Sequence, residues 1–201
     1  APKGDEAKVE EVPDGRVLLS SRMLGGRYFN IFSYSSADHA EGTWAEPVAS
    51  TSLEGGTVGQ DNATNGEILI VPAKGRDGKP VHIALQSIPF GNTKGSSRNV
   101  ERRSHVSIYW KVLSSAADYA SPDCFLTGWT RYEVTAANSA YSTMVLDGKG
   151  KIAFVYEDNG EQIRCGSQNM EIYDLTFRSL PLETITGGAY RYDKRKKTHL
   201  R

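Results

Sequence analysis

The chain has 201 residues, which is enough for one domain with a substantial hydrophobic core. Its 24 basic and 24 acidic residues balance, which argues against a nucleic-acid partner or a membrane surface recognised through net charge. No apolar run reaches the length that a bilayer span requires, so no membrane span is expected.

Short strands separated by tight turns are predicted in the first half of the chain. Pro13-Asp-Gly15 and Gly25-Gly26 mark two of the turns, and Arg22 stands directly after the second strand. A polar loop then closes on Trp44, and a loop-rich stretch runs on to Gly66. The strands predicted here cover residues 8–12, 16–21, 27–34, 67–72 and 81–87.

The second half is predicted to hold a tight hairpin. Asp147-Gly-Lys-Gly150 supplies its turn, and Tyr141 stands at the head of its first strand. The strands predicted in this half cover residues 105–113, 142–146, 152–156 and 171–177. The other segments are predicted as an exposed basic loop over 89–103, a loop over 160–170, a short helical turn over 180–185 and a flexible basic tail over 191–201.

The strands fall into three clusters of three or four, and no segment has the hydrophobic period of an ordinary helix. This spacing, with a Trp near the end of the first two clusters, is typical of the blades of a β-propeller. An all-β propeller domain over residues 1–190 is therefore predicted, with a β-sandwich as the alternative. Three blades make only about half of a ring of four to eight. Because the chain also opens without Met or an apolar signal segment, it is expected to be a processed product or a piece of something longer.

Metal and cofactor sites are not expected. The four histidines are scattered without ligand-like spacing, and the glycine-rich stretches lack the following helix that a phosphate cradle needs. No Gly-X-Ser-X-Gly motif occurs. Cys124 and Cys165 are compatible with one disulfide or with two free thiols.

Four residues that could carry chemistry stand at or beside predicted strand ends: Glu6, Arg22, Arg103 and Tyr141. In a propeller, the ends of the inner strands of different blades converge. Two guanidinium groups that meet there repel each other unless an anion lies between them, and a carboxylate held by bidentate hydrogen bonds is the natural choice. Taken singly, each arginine is explained as well by a surface salt bridge, and Tyr141 by a half-buried ring at the rim of a sheet.

Three blocks of sequence, in order, resemble the sialidases (neuraminidases) of bacterial type. Residues 5–22 are similar to the segment that carries a catalytic Glu and the second arginine of this family's arginine triad. Arg103-Ser-His-Val-Ser-Ile-Tyr109 resembles its third-arginine strand. Ser139-Ala-Tyr-Ser-Thr143, with the Asp-Gly turn and Phe154-Val-Tyr-Glu157, resembles its nucleophile hairpin. The resemblance runs from Asp5 to about residue 190, where the end of the chain looks like the end of the catalytic domain.

The resemblance implies a six-bladed propeller of the sialidase type, of which this chain supplies about three blades. It implies an exo-α-sialidase that releases terminal sialic acids from glycoconjugates with retention of configuration. Tyr141 would be the nucleophile and Glu6 its base, while Arg22 and Arg103 would grip the substrate carboxylate. Glu10 and Glu11 are rivals for the role of Glu6, but the spacing in the family selects Glu6.

Further expectations come from the same resemblance. Residues 62–66 and Gln86 are candidates for lining the pocket. The partners would be a sialylated glycan and the N-terminal half of the same propeller, with no cofactor. The location would be secreted or periplasmic.

The sequence also departs from the family pattern. The Asp-box turn survives only in the stretched form Ser36-Ala-Asp-His-Ala-Glu-Gly-Thr-Trp44, and nothing matches the first triad arginine or the Asp acid/base. Two other functions therefore stay open. One is a sialic-acid-binding or scaffolding propeller fragment without turnover, and the other is a propeller hydrolase that acts on a different sugar.

Overall fold

The computed structural model describes residues 4–92 and 98–194, and in this part of the chain the strands form three antiparallel sheets. The first sheet has the order β1-β2-β3-β4, and β5 also pairs with β3. Its strands are β1 (Asp5–Glu11), β2 (Val17–Met23), β3 (Gly26–Tyr34), β4 (Gly42–Trp44) and β5 (Val48–Ser50).

The second and third sheets follow in the chain, and the last strand returns to the second sheet. The order of the second sheet is β13-β6-β7-β8-β9, and that of the third is β10-β11-β12. The strands are β6 (Ile68–Gly75), β7 (Pro80–Pro89), β8 (Val106–Leu113), β9 (Thr130–Glu133), β10 (Ser142–Leu146), β11 (Lys151–Cys165), β12 (Gln168–Pro181) and β13 (Tyr190–Tyr192).

Short helices complete the described part of the chain. The α-helices are α1 (Asn99–Arg102) and α2 (Leu182–Ile185), and 3₁₀ turns span Ala116–Tyr119 and Pro122–Phe125. The helix α2 lies where the sequence predicts a short helical turn. Both of its apolar ends, Leu182 and Ile185, are buried.

Two hydrophobic clusters fill the spaces between neighbouring sheets. Leu18 and Phe29 of the first sheet share a cluster with Ile70 of the second. Residue Val71, whose side chain points to the opposite face of β6, shares the other cluster with Phe154 of the third sheet. The second sheet is therefore covered on both faces, which accounts for the continuous apolar run at its centre.

This stacking confirms the prediction of a partial β-propeller. A sandwich consists of two sheets with one core between them, whereas here a middle sheet lies between two others with a separate core on each side. The alternative of a β-sandwich is wrong for this reason. The first strands of the three blades lie together, since β6 contacts both β1 and β10.

One face of the third sheet remains open. The buried face carries Met144 and Phe154. On the opposite face, Val145, Leu175 and Phe177 are 58%, 77% and 62% exposed. An apolar face of this kind is usual for a blade that a further blade covers, and it is rare on a free surface.

The segment 160–170, predicted as a loop, is the outer part of a β-hairpin. Strands β11 and β12 continue into it, with Ile163 opposite Met170 and Cys165 opposite Gln168. A turn with Gly166 at φ +63° joins them. The segment alternates polar and apolar residues as an exposed hairpin does, but its overall polarity is equally typical of a loop. We call residues 158–174 the arm.

The predicted basic loop over 89–103 is only partly a loop. Its last part forms α1, in which Val100 is 1% exposed, and residues 93–97 lie outside the described part. Ordered pairing continues past residue 190, where the predicted tail begins. Strand β13 continues to Tyr192, and the Asp193 amide donates to the Pro72 carbonyl at 3.0 Å. Residues 195–201 of the predicted tail lie outside the described residues.

Cys124 and Cys165 are both free, which settles the alternative in favour of two thiols. In the described ranges, no helix is long and apolar enough to cross a membrane.

Candidate active site

The structure brings the four predicted site residues together around Tyr141. The hydroxyl group of Tyr141 donates a hydrogen bond to Glu6 Oε1 at 3.1 Å and accepts one from Arg22 Nη1 at 3.0 Å. The same Arg22 nitrogen lies 2.8 Å from Glu6 Oε2. The guanidinium carbons of Arg22 and Arg103 lie 6.0 and 5.5 Å from the centre of the Tyr141 ring. Four side chains far apart in the sequence thus form one cluster.

The pairing of β1 with β2 positions Glu6 and Arg22 in this cluster. Asp5 is opposite Arg22, and the register shifts between Asp5 and Lys8. Within this irregularity Glu6 adopts φ +44°, a left-handed conformation that is uncommon for a non-glycine residue. Such strain often persists where a side chain is aimed at a functional site. The irregularity turns the Glu6 carboxylate toward Tyr141.

The hairpin β10–β11 holds the tyrosine. The Tyr141 amide donates to Glu157 Oε2 at 3.0 Å, and the Glu157 amide donates to the Tyr141 carbonyl at 2.9 Å. The next amide, that of Ser142, donates to Asn65 Oδ1 at 3.1 Å. Glu157 has no role predicted from the sequence. Its signal was the hairpin register, which places residue 157 opposite residue 141.

Arg103 follows α1, and its guanidinium group also lies beside the ring. Its Nη2 donates to the Ala63 carbonyl at 3.4 Å, and its Nη1 lies 3.8 Å from Glu171 Oε2. The Arg103 carbonyl accepts a hydrogen bond from the Ser139 amide at 2.8 Å. This last contact joins Arg103 to the hairpin that carries Tyr141.

The two segments predicted to line the pocket have different positions. The loop over 62–66 reaches the cluster through Ala63 and Asn65. Gln86 is completely buried, and its Oε1 accepts a hydrogen bond from Ser20 Oγ at 2.6 Å. Gln86 therefore supports the sheets from within and does not line a surface.

The two glutamates considered as rivals of Glu6 lie farther along β1. Glu10 and Glu11 are paired with Leu18 and Val17, at the opposite end of the strand from Asp5. Of these three glutamates, Glu6 is the one whose carboxylate contacts Tyr141.

A buried cation that the sequence did not predict lies behind the cluster. Arg27 is 0% exposed. It donates to Ser20 Oγ at 2.9 Å, to the Thr64 carbonyl at 2.9 Å and to the Ser20 carbonyl at 3.2 Å. Burial lowers the pKa of Arg27 to about 10. The feature that could have drawn attention to Arg27 is its position opposite Arg22 in the β2–β3 register.

The electrostatic environment of Arg22 favours its charged form. Burial by itself lowers the pKa of Arg22, but the hydrogen bond with Glu6 and the neighbouring Tyr141 and Asp5 outweigh this effect. The net pKa of Arg22 is raised. This arginine therefore presents a fixed positive charge at the tyrosine hydroxyl.

Nothing in the described ranges suggests a metal centre. Across residues 4–92 and 98–194, His, Cys, Asp and Glu do not cluster in groups of three or more that could hold a metal ion. His105 instead lies 3.1 Å from a Glu133 carboxylate oxygen.

The stacked blades form a partial β-propeller, and Tyr141, Glu6 and two arginines from different blades meet on it. Among solved structures, the chain is similar to the intramolecular trans-sialidase of Ruminococcus gnavus, crystallised with oseltamivir carboxylate. The TM-score is 0.57 and the sequence identity 20%, over 89% of this chain and 33% of the other. The chain thus spans about a third of the length of that structure, and the likeness shows the shared fold.

Two further comparisons found no relative. No family model matches the chain, and no curated protein matches it.

Proposed function

We propose that this chain supplies the nucleophile side of the active site of an exo-α-sialidase, a glycosidase that releases terminal sialic acids from glycoconjugates with retention of configuration. The observation that carries the proposal is the contact of Tyr141 with both Glu6 and Arg22. A phenol whose proton points to a carboxylate, and whose oxygen accepts from a guanidinium, is arranged for nucleophilic attack.

The chemistry of sialic acid explains why a phenol suits this position. The anomeric carbon carries a carboxylate, which would repel an anionic nucleophile. The neutral Tyr141 hydroxyl avoids that repulsion. As its oxygen bonds to the anomeric carbon, its proton passes to Glu6, and the bond to the leaving oxygen breaks. Arg22 stabilises the negative charge that develops on the phenol oxygen.

The two arginines beside the ring would bind the substrate carboxylate. The guanidinium carbons of Arg22 and Arg103 lie at similar distances from the Tyr141 ring. A carboxylate placed between them would relieve the repulsion between the two cations and fix the anomeric carbon over the hydroxyl group.

The proposed reaction needs groups from a partner. Two groups would come from the N-terminal half of the same propeller, docked at the open side of the arc of blades. They are a third arginine and the acid that protonates the leaving oxygen. The substrate would be a sialylated glycan. The proposed location is extracellular or periplasmic, where such glycans are met.

The test is the substitution Tyr141→Phe in the protein that contains both halves of the propeller. We expect release of sialic acid from an aryl sialoside to fall by at least about 100-fold, because the nucleophilic oxygen is lost. Tyr34→Phe is the matched control. Its ring stacks on His39 at the outer part of the first sheet, and this variant should keep full activity.

Full activity of Tyr141→Phe would refute the assignment of the nucleophile. Binding of sialic acid by the two-half protein without any release would instead show the non-catalytic binding protein. Release of a neutral sugar that Arg22→Ala and Arg103→Ala leave unchanged would show the hydrolase of another sugar.

A further inference from the structure

Glu171, on the arm, is a point where three donors converge. Its Oε2 accepts a hydrogen bond from the Tyr173 hydroxyl at 3.2 Å and one from Asn99 Nδ2 at 3.4 Å. The same oxygen lies 3.8 Å from Arg103 Nη1. The donors come from the arm, from α1 and from the residue after α1, so one carboxylate joins the arm to the predicted substrate-binding arginine.

The ion pair of Arg103 and Glu171 is partly buried. The side chains of Arg103 and Glu171 are 16% and 25% exposed. A partly shielded pair is screened less by solvent and salt than the exposed pairs common on protein surfaces. The Nε of Arg103 is buried and has no hydrogen-bond partner. The orientation of the Arg103 guanidinium group therefore depends on the contacts of Nη1 and Nη2.

The arm is fitted to hold Glu171 in place. Glu171 and Tyr173 point to the same face of β12, since they are two residues apart. The ring of Tyr173 packs over Gly160, where a Cβ atom would meet that ring and would lie 2.7 Å from a methyl carbon of Val100. The glycine therefore permits the close approach that brings this face of the arm against α1.

The surroundings of Tyr173 keep its hydroxyl group protonated. Burial, followed by the charge of Glu171 and the hydrogen bond to it, raises the pKa of Tyr173 to about 12. Glu157 acts in the same direction, whereas Arg103 opposes the rise. The phenol thus remains a proton donor to Glu171 throughout the neutral range.

We infer that Glu171 is a positioning residue that, together with the arm, fixes the Arg103 guanidinium beside Tyr141 for the carboxylate of the substrate. This inference rests on the proposed function for its ligand. The orientation of Arg103 can be measured without any ligand, and the two ideas can therefore fail separately.

The experiment uses the 201-residue chain labelled with ¹⁵N and follows the arginine Nε–H resonances by NMR. In Glu171→Gln we expect the Arg103 Nε–H resonance to shift and its exchange with water to accelerate, while that of Arg22 stays unchanged. The control is Glu161→Gln, an exposed glutamate of the arm opposite Ile172, which should alter neither resonance. An unchanged Arg103 resonance in Glu171→Gln would overturn the inference.

A second variant separates the ion pair from the packing. Tyr173→Phe removes one donor but keeps both charges and the ring, so the protection of Arg103 should persist. Loss of protection in this variant would mean that the Tyr173 hydroxyl, and not the carboxylate, holds the arginine. This variant also provides the test if Glu171→Gln does not fold.

Titration with sialic acid tests the link to the proposed function. A guanidinium group that is displaced slightly from its ligand binds it much more weakly. We therefore expect Glu171→Gln, which frees the Arg103 guanidinium, to weaken the affinity for sialic acid about tenfold. Equal affinity of Glu171→Gln and wild type would overturn the role toward substrate. If the wild-type chain gives no sign of binding, the proposed function loses support while the resonances still decide the role of Glu171.

Discussion

The chemistry expected of Tyr141 depends on the residues around it. A tyrosine at the start of a strand is common, and its type and place imply no chemistry. In the structure, its hydroxyl group contacts both the Glu6 carboxylate and the Arg22 guanidinium. Its backbone amide and carbonyl are both hydrogen-bonded to Glu157, and Arg103 of a third blade lies beside its ring. The site is therefore a property of contacts between three blades.

Arg27 is a residue at which burial and charge conflict. Its guanidinium is fully buried and donates to Ser20 and to the Thr64 carbonyl. Arg27→Lys keeps the charge but cannot reproduce the planar, forked set of donors. We expect the free energy of unfolding to fall by about 2 kcal/mol, because buried acceptors lose their partners. Urea denaturation followed by circular dichroism measures this change.

Arg76 supplies the matched control for Arg27. It also donates to two backbone carbonyls, those of Gly188 and Gly187, but it is exposed. Water can replace its hydrogen bonds, and so Arg76→Lys should change the free energy of unfolding by less than about 0.5 kcal/mol. Equal losses in the two variants would show that burial of Arg27 adds nothing to its stabilising role.

At the scale of elements, the turn of the hairpin β10–β11 is stabilised by contacts within the turn and by packing against a distant strand. The Asp147 carboxylate accepts hydrogen bonds from the amides of Lys149 and Lys151, both at 2.8 Å. The Lys151 amide is the main cause that lowers the pKa of Asp147. These contacts lie within the turn, which is why the sequence predicts it. The packing of β13 over the same turn involves residues more than forty positions away and could not be predicted.

Gly150 is the position where these two determinants meet. It has φ +82°, and a Cβ atom there would collide with the ring of Tyr192. Gly150→Ala should lower the free energy of unfolding by about 3 kcal/mol, from backbone strain and from displacement of the ring. Thermal unfolding of the purified variant would measure the loss.

Gly148, in the same turn, serves as the control. It is not among the positive-φ glycines, and a Cβ atom added there has nothing within 4 Å. Gly148→Ala should leave the midpoint of unfolding within a few degrees of the wild type. If Gly150→Ala behaves as Gly148→Ala does, then Tyr192 does not pack over the turn, and the predicted flexible tail begins where the sequence placed it.

At the scale of the whole molecule, the chain is an arc of three blades with one apolar sheet face open. Val145, Leu175 and Phe177 project from that face. Apolar side chains grouped on one face drive association when nothing covers them. We therefore expect the purified chain to self-associate reversibly as its concentration rises, and sedimentation velocity will measure this.

The double substitution Val145→Thr and Phe177→Thr should shift the association to markedly higher concentration, because it removes apolar area but keeps residues that favour strands. Leu53→Thr is the comparison. Leu53 is 72% exposed, but it stands in a loop away from that face, and this variant should associate as the wild type does. A wild-type chain that remains monomeric at high concentration would contradict the expectation.

The sequence by itself determined the all-β class, most strand positions and the turns, because these depend on side-chain alternation and on glycine and aspartate at short range. The ordered blocks around Glu6, Arg22, Arg103 and Tyr141 also predicted four side chains that lie together in the structure. The sequence did not reveal the arm as a hairpin, since an exposed hairpin and a polar loop have similar compositions.

Only the tertiary structure decided which side chains meet. The contact of Glu6 with Tyr141 depends on a strand irregularity, and the contacts of Glu171 with Arg103 and of Arg27 with Thr64 join segments that are far apart in the sequence. Such contacts arise from packing over long sequence separations, and they leave no local pattern from which they could be predicted.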